Sequence, residues 1–112
     1  MELKQIDKDN VTVLQLEGKL MGGPDATQLH ESLHKLIDAN NKNVVIDLKG
    51  VDWINSSGLG ILISGLTTVR NSGGNLCLAN PSEKIKNILT ITKLSSVFTS
   101  YDNLDEAITS FK

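Results

Sequence analysis

The apolar positions of the chain follow two periods, and these periods predict its elements. VTVLQLEG (residues 11–18) alternates loosely between apolar and polar side chains, which predicts a β-strand. LKQI (3–6) precedes it and predicts a partner strand, joined through DKDN as an antiparallel hairpin. NVVIDL (43–48) contains a continuous β-branched run, typical of a central strand buried on both faces. NLCLAN (75–80) and VFTSY (97–101) predict two further strands.

Four other segments repeat apolar residues every three or four positions, which predicts amphipathic helices. The first begins with Pro24 at the first helical position, and the second ends before a pair of glycines. The third is expected to begin with Asn80 as its cap and Pro81 as its first residue, and the last at Asp102. The side chains predicted to face the core are Ala26, Leu29, Leu33, Leu36 and Ile37, then Leu59, Leu62, Ile63, Leu66 and Val69, then Ile85, Ile88 and Leu89, and finally Leu104, Ala107, Ile108 and Phe111.

The order of these elements is ββαβαβαβα. Strands that alternate with helices form a mostly parallel sheet with right-handed crossovers, and the initial hairpin adds an antiparallel edge. A chain of 112 residues suits a single domain, and no repeat or linker divides it. The sequence therefore predicts one α/β domain over residues 1–112, with helices packed on the sheet.

Composition narrows the choice of partners and compartment. The 11 basic and 13 acidic side chains give a net charge of −2, and because no stretch is basic we expect no nucleic-acid partner. The single cysteine, Cys77, cannot form an internal disulfide and fits a reducing compartment. Nothing resembles a signal peptide, and no apolar stretch is long enough for a membrane span. We therefore expect a cytoplasmic protein without a membrane partner.

The stretch DWINSSGLGILISGL (residues 52–66) holds the most unusual pattern. We expect a short loop to follow the buried strand and to lead into the second helix near Ser56, as its N-cap or a first-turn residue. A helix start offers free N–H groups and the positive end of the helix dipole, so the fold would tolerate a phosphate there. Within the loop, Trp53 is expected to pack over the edge of the core.

The glycines of the second helix allow two interpretations. Glycine costs about 0.8–1 kcal/mol relative to alanine inside a helix, so Gly58, Gly60 and Gly65 need a reason. In the first interpretation, they let the helix approach its own sheet. In the second, they leave room for the backbone of another protein on a flat exposed stripe, with Ile61 exposed beside it. The stripe consists of Ser57, Gly60, Ser64 and Thr68.

Four stretches of the chain resemble the STAS family, and within it the bacterial anti-sigma factor antagonists. They are EGKL (17–20), VVIDLKGVDWINSSGLGIL (44–62), the glycine pair 73–74 with its following strand, and LSSVFTSYDNLDEAI (94–108). The resemblance implies a non-enzymatic regulator without a cofactor. In that family a serine of the central motif is phosphorylated by a partner kinase that is also the anti-sigma factor. The unphosphorylated protein binds this kinase and frees the sigma factor.

Matched position by position, the resemblance makes Ser56 the phosphorylated serine. The family commonly has aspartate where this chain has Asn55, and often where it has Met21, so negative charge is missing from the expected kinase-binding surface. These departures keep open an alternative, a scaffold or ligand-sensing STAS domain within a larger signalling assembly, in which Ser56 is only a cap. The predicted partner-binding residues are Met21, Gly22, Gly23, Asn55, Ser57, Gly58, Gly60, Ile61 and Ser64.

Two enzyme motifs are incomplete in this sequence. HESLH (30–34) matches the zinc-protease pattern H-E-x-x-H, but His30 and His34 are the only histidines, so no third histidine ligand exists. NSSGLG is not the G-x-S-x-G motif of serine hydrolases, and neither histidine is linked to it by sequence. We therefore expect neither a metal site nor a catalytic site.

Overall fold

The computed structural model describes residues 1–8 and 10–111. In chain order its elements are β1 (Glu2–Lys8), β2 (Val11–Leu20), α1 (Pro24–Asp38), β3 (Asn43–Ile54), α2 (Ser56–Asn71), β4 (Asn75–Ala79), α3 (Glu83–Ile91), a 3₁₀ turn (Leu94–Ser96), β5 (Ser100–Tyr101) and α4 (Leu104–Thr109). The predicted order ββαβαβαβα is confirmed. The last strand is shorter than predicted, because only its final two residues pair with β4.

The strands form one sheet in the order β1-β2-β3-β4-β5. β1 and β2 are antiparallel and the other neighbours are parallel, as predicted. Helices α1, α2 and α3 pack on one face and build the larger core around side chains such as Leu62 and Leu78. On the other face, Ala107 and Ile108 of α4 pack against Val45 and neighbouring strand residues. The sheet therefore lies between two helical layers of unequal size.

Strand β3 is longer than predicted and carries two irregularities. It does not end at Leu48 but continues to Ile54, and its register with β2 shifts twice on the way. At each shift β3 contains one residue more than β2, which is the signature of a β-bulge. Beyond the first bulge, buried side chains recur every third residue, at Leu48, Val51 and Ile54. Most of the expected loop before α2 is therefore strand.

A buried carboxylate lies at the first bulge. Asp47 is 4% exposed, and its Oδ1 accepts the Lys49 N–H and the Asn80 Nδ2–H, both at 3.0 Å. Gln15 on β2 donates to Oδ2 at 3.4 Å. A bulge removes backbone groups from the regular hydrogen-bond ladder between strands. The Asp47 carboxylate therefore accepts the Lys49 N–H, for which β2 provides no acceptor. Asp47 thus links β2, β3 and the end of β4.

The predicted caps of the last two helices are wrong. Asn80 has a left-handed backbone (φ 53°) and gives its side chain to Asp47, so it cannot begin α3. Ser82 caps that helix instead, and its hydroxyl accepts the Ile85 N–H at 3.2 Å. α4 is capped by Asn103, one residue after the predicted start.

Cys77 lies in the middle of β4 and is buried in the smaller core. Burial raises the pKa of its thiol to about 11, while a hydrogen bond with Ser110 acts in the opposite direction. The thiolate is the reactive form of cysteine, so this side chain is inert at neutral pH.

Candidate functional site

Helix α2 begins at Ser56, but the residue before it provides the cap. Asn55 has an extended backbone (φ −113°), and its Oδ1 accepts the Gly58 N–H at 2.8 Å. Ser56 is the first helical residue, and its side chain is exposed. The prediction of Ser56 as a first-turn residue is confirmed, whereas the N-cap is Asn55. The Ser56 hydroxyl is therefore not needed to start the helix.

The three glycines of α2 occur for different structural reasons. A Cβ at Gly58 would overlap the carbonyl oxygen of Leu20 and lie 2.9 Å from Ile54 Cγ1, so Gly58 lets α2 approach the sheet. A Cβ at Gly65 would lie 3.0 Å from a methyl of Leu33 on α1. Gly60 is exposed, and its Cβ would meet nothing within 4 Å. Packing explains Gly58 and Gly65, and only Gly60 is open to a partner.

The exposed stripe of α2 is present without its predicted aliphatic neighbour. Ser57, Gly60 and Ser64 are exposed and Thr68 is half-buried. The prediction that Ile61 is exposed is wrong, because the side chain is 8% exposed and belongs to the larger core. Helix α2 packs against α1 as well as against the sheet. Ile61 therefore lies on a side of α2 that faces α1, where it lines a groove of about 330 Å³ between the two helices.

The turn between β2 and α1 lies against the start of α2. Gly22 and Gly23 have positive φ angles, 100° and 61°, which suit glycine and form the tight turn. A Cβ at Gly22 would lie 3.0 Å from Ser57 Cβ, so the two predicted segments are in contact. Met21 is 47% exposed, and its N–H donates to Asp25 Oδ2 at 3.2 Å. Residues 21–23 and 55–57 therefore form one continuous surface.

Trp53 lies beside this region and is more exposed than its predicted packing over the edge of the core implies. It lies on β3 opposite Lys19 of β2 and is 41% exposed. Lys84 Nζ stands 3.8 Å from the centroid of its ring, a cation–π contact. Together with Met21 and Asp52, Trp53 and Lys19 line a cleft of about 400 Å³. The sequence signal is that the apolar residues Leu48, Val51 and Ile54 stand three apart, which does not match the alternation of a regular strand.

The histidine pair of α1 is exposed, and His30 lines the groove between α1 and α2 together with Ile61 and Ser64. The rings of His30 and His34 meet edge to face, with centroids 4.2 Å apart. Within residues 1–8 and 10–111, no group of three or more His, Cys, Asp or Glu side chains is placed to hold a metal ion. Across the same residues, no helix combines the length and the apolar character needed to cross a membrane.

The model of the STAS domain family matches residues 2–107, so the chain belongs to the STAS domain family. Two curated relatives are named "Putative anti-sigma factor antagonist". The one from Thermotoga maritima is 28% identical over 74 residues, which are 66% of this chain and 66% of its own length. The other, BtrV of Bordetella bronchiseptica, is 26% identical over 112 residues, which are 100% of this chain and 96% of BtrV.

Solved structures show the same fold. An anti-sigma factor antagonist from Mycobacterium paratuberculosis is similar with a TM-score of 0.82 at 24% identity, over 97% of this chain and 92% of that one. The Bacillus cell fate determinant SpoIIAA, in its phosphorylated form, has a TM-score of 0.74 at 17% identity, over 99% of this chain and 100% of its own. These likenesses concern the architecture, and they agree with the strand order and helical layers described above.

Proposed function

We propose that this chain is an anti-sigma factor antagonist that acts as a phosphorylation switch. Unphosphorylated, it binds a serine protein kinase that is also an anti-sigma factor, and phosphorylation of Ser56 releases the complex. It is a cytoplasmic regulator, without catalysis, cofactor, nucleic acid or membrane. The observation that carries the proposal is Ser56 itself, an exposed serine at the first position of α2 that the fold does not use as a cap.

A phosphate on Ser56 would meet favourable backbone charge. The first turn of a helix leaves N–H groups without intrahelical acceptors, and the Asn55 side chain takes only that of Gly58. The helix dipole adds positive partial charge at the same end. Phosphoserine brings about −1.5 to −2 charges at neutral pH. We therefore expect the phosphorylated domain to keep its fold.

The phosphate acts on the complex rather than on the domain. The exposed residues Ser57, Gly60 and Ser64 present small side chains, over which a partner can approach the helix closely. A phosphate at the edge of this surface would have to be desolvated on docking, or would stand beside acidic groups of the partner. Each penalty of about 1.4 kcal/mol weakens binding about tenfold, so a modest clash is enough for release.

A second candidate function is a scaffold or ligand-sensing domain in a larger signalling assembly, without phosphorylation of Ser56. It is favoured by Met21 and Asn55, two positions at which the family resemblance leads us to expect aspartate. Aspartate and asparagine are about equally good N-caps, so the cap alone does not require asparagine at position 55. Asn55→Asp therefore adds the missing charge while preserving the helix start.

The test combines mass spectrometry with a binding assay. The purified protein is incubated with ATP and a lysate of its own organism, and the site of any added phosphate is mapped. The kinase responsible is then isolated from the lysate and tested for binding to each form of the protein. We expect phosphate on Ser56, none in Ser56→Ala, and binding by Ser56→Ala and the unmodified protein but not by the phosphorylated one. Ser57→Ala is the matched control, because Ser57 is the neighbouring exposed serine.

Two results would favour the scaffold instead. One is phosphate found only at a residue other than Ser56. The other is equal binding of the kinase by the phosphorylated and unmodified forms. Asn55→Asp refines the outcome, since faster phosphorylation of this variant would show that the missing charge slows the reaction.

A further inference from the structure

Strand β1 forms a long outer edge of the sheet. It has seven residues, of which six are exposed, whereas β5 at the opposite edge has only two residues. In the part of the chain that the structure describes, β1 pairs with β2 on one side only. The backbone N–H and C=O groups on its other side can therefore receive a further strand.

The charges of β1 are poorly matched within the molecule. Glu2 lies directly opposite Glu17 of β2, and Lys8 lies opposite Val11. Like charges directly opposite each other on a sheet face destabilise the pair of strands. The ion pairs found among residues 1–8 and 10–111 involve neither Glu2 nor Lys8. Both ends of β1 therefore carry a charge that a further strand could match.

We propose that β1 pairs with β1 of a second copy of this chain, in an antiparallel dimer centred on Gln5. In a two-fold symmetric antiparallel pair, one residue faces its own copy, so the sequence allows only a few registers. With Gln5 at the centre, Glu2 faces Lys8 of the second copy at both ends. All seven residues overlap and no like charges face each other. The incoming lysine also lies beside the Glu2–Glu17 pair and offsets its repulsion.

The neighbouring registers are less favourable. A pair centred on Lys4 places two lysines opposite each other, and one centred on Ile6 places Lys4 opposite Lys8 twice. A pair centred on Leu3 retains an attraction between Glu2 and Lys4 but overlaps only residues 2–4 of the strand. The charge pattern therefore selects a single register.

The side chains on one face of β1 complete the interface. Ile6 is 36% exposed and faces Lys4 of the second copy in this register, so the alkyl part of that lysine covers it. Pairing through one short strand buries less surface than a standard protein interface, which makes the dimer weak and dependent on concentration. The proposal does not depend on Ser56.

Sedimentation equilibrium of the full chain from about 10 µM to about 1 mM tests the dimer. Wild type should associate as its concentration rises. Glu2→Lys and Lys8→Glu should each weaken association about tenfold or more, because each brings like charges into opposition at both ends. A mixture of the two variants should regain the affinity. In that mixture, the introduced lysine faces the introduced glutamate, and native Glu2 faces native Lys8.

Lys35→Glu on α1 is the control, since it changes the net charge as Lys8→Glu does at an exposed position away from β1. It should associate like wild type, as should Ser56→Ala. Circular dichroism establishes that each variant is folded. Three results would overturn the proposal: wild type that stays monomeric up to about 1 mM, single variants that associate like wild type, or a mixture no stronger than its components.

Discussion

Asn55 and Gly58 are joined across the first turn of α2 by a hydrogen bond of 2.8 Å, from the glycine N–H to the asparagine Oδ1. The start of the helix thus depends on the residue before Ser56. A modification or substitution of Ser56 can therefore leave the cap intact, which is what a reversible switch at this position requires.

The cap predicts different effects for neighbouring residues. Asn55→Ala should lower the free energy of unfolding by about 0.5–2 kcal/mol, the usual cost of losing an N-cap. Asn55→Asp should be at least as stable as wild type, because aspartate also caps and its charge suits the helix dipole. Ser56→Ala should stay within about 0.5 kcal/mol. Urea denaturation measures all three, and a loss in Ser56→Ala equal to that in Asn55→Ala would contradict the assignment.

Two glycines of the same helix should respond in opposite ways to the same change. Gly58→Ala forces a methyl group against the Leu20 backbone and should cost about 1–3 kcal/mol, as overpacking usually does. Gly60→Ala meets open space and should gain up to about 1 kcal/mol, because alanine is the better helix former. Thermal and urea unfolding of the two variants compare them directly. Equal effects would mean that α2 does not approach the sheet as described.

The exposed stripe predicts that binding and stability can be separated. The free energy of unfolding of Ser64→Arg should stay within about 0.5 kcal/mol of that of wild type, because Ser64 is exposed. The variant should nevertheless fail to bind the kinase proposed above. Leu62→Ala is the control for burial and should lose about 2–5 kcal/mol. Calorimetry or thermal melting provides the comparison. A grossly destabilised Ser64→Arg would place this position in the core.

Cys77 predicts a dependence of stability on alkaline pH. Well below pH 9 the thiol is protonated in both the folded and the unfolded chain. Between about pH 9 and pH 11 only the unfolded chain loses the proton, so the wild-type protein should lose stability as the pH rises. Cys77→Ala should lack this component, and the difference between the two unfolding curves isolates it. Identical slopes would show that the thiol is not shielded from water.

The fold was largely predictable because each element has a local signal. The alternating hairpin, the β-branched run of β3 and the apolar faces of the helices predicted the order of the elements along the chain. The alternation of strands with helices then predicted a mostly parallel sheet. Leu62 and Leu66 are buried as their helical spacing predicts. Pro24 begins α1 as its fixed backbone angle favours.

The errors arose where an element depends on contacts distant in sequence. Ile61 is buried because α1 covers a second side of α2, and the spacing of apolar residues within one helix does not reveal a second neighbour. Asn80 resembles a cap but is held by Asp47, which lies on another strand. Trp53 is exposed because the bulges of β3 change which side chains face the core. Within the candidate site, the sequence predicted segments 21–23 and 55–57 but not the cleft beside them that Trp53 lines.

Trp53 is the only tryptophan of the chain, and it lies three residues before Ser56 on the strand that leads to α2. All indole fluorescence of the molecule therefore arises at one point beside the candidate site. Its ring is partly in water and touches the Lys84 ammonium, so its emission responds to changes in polarity and nearby charge. A partner that covers the start of α2 would shield this ring. Its arrival can then be followed in real time by the intrinsic emission of the unlabelled protein.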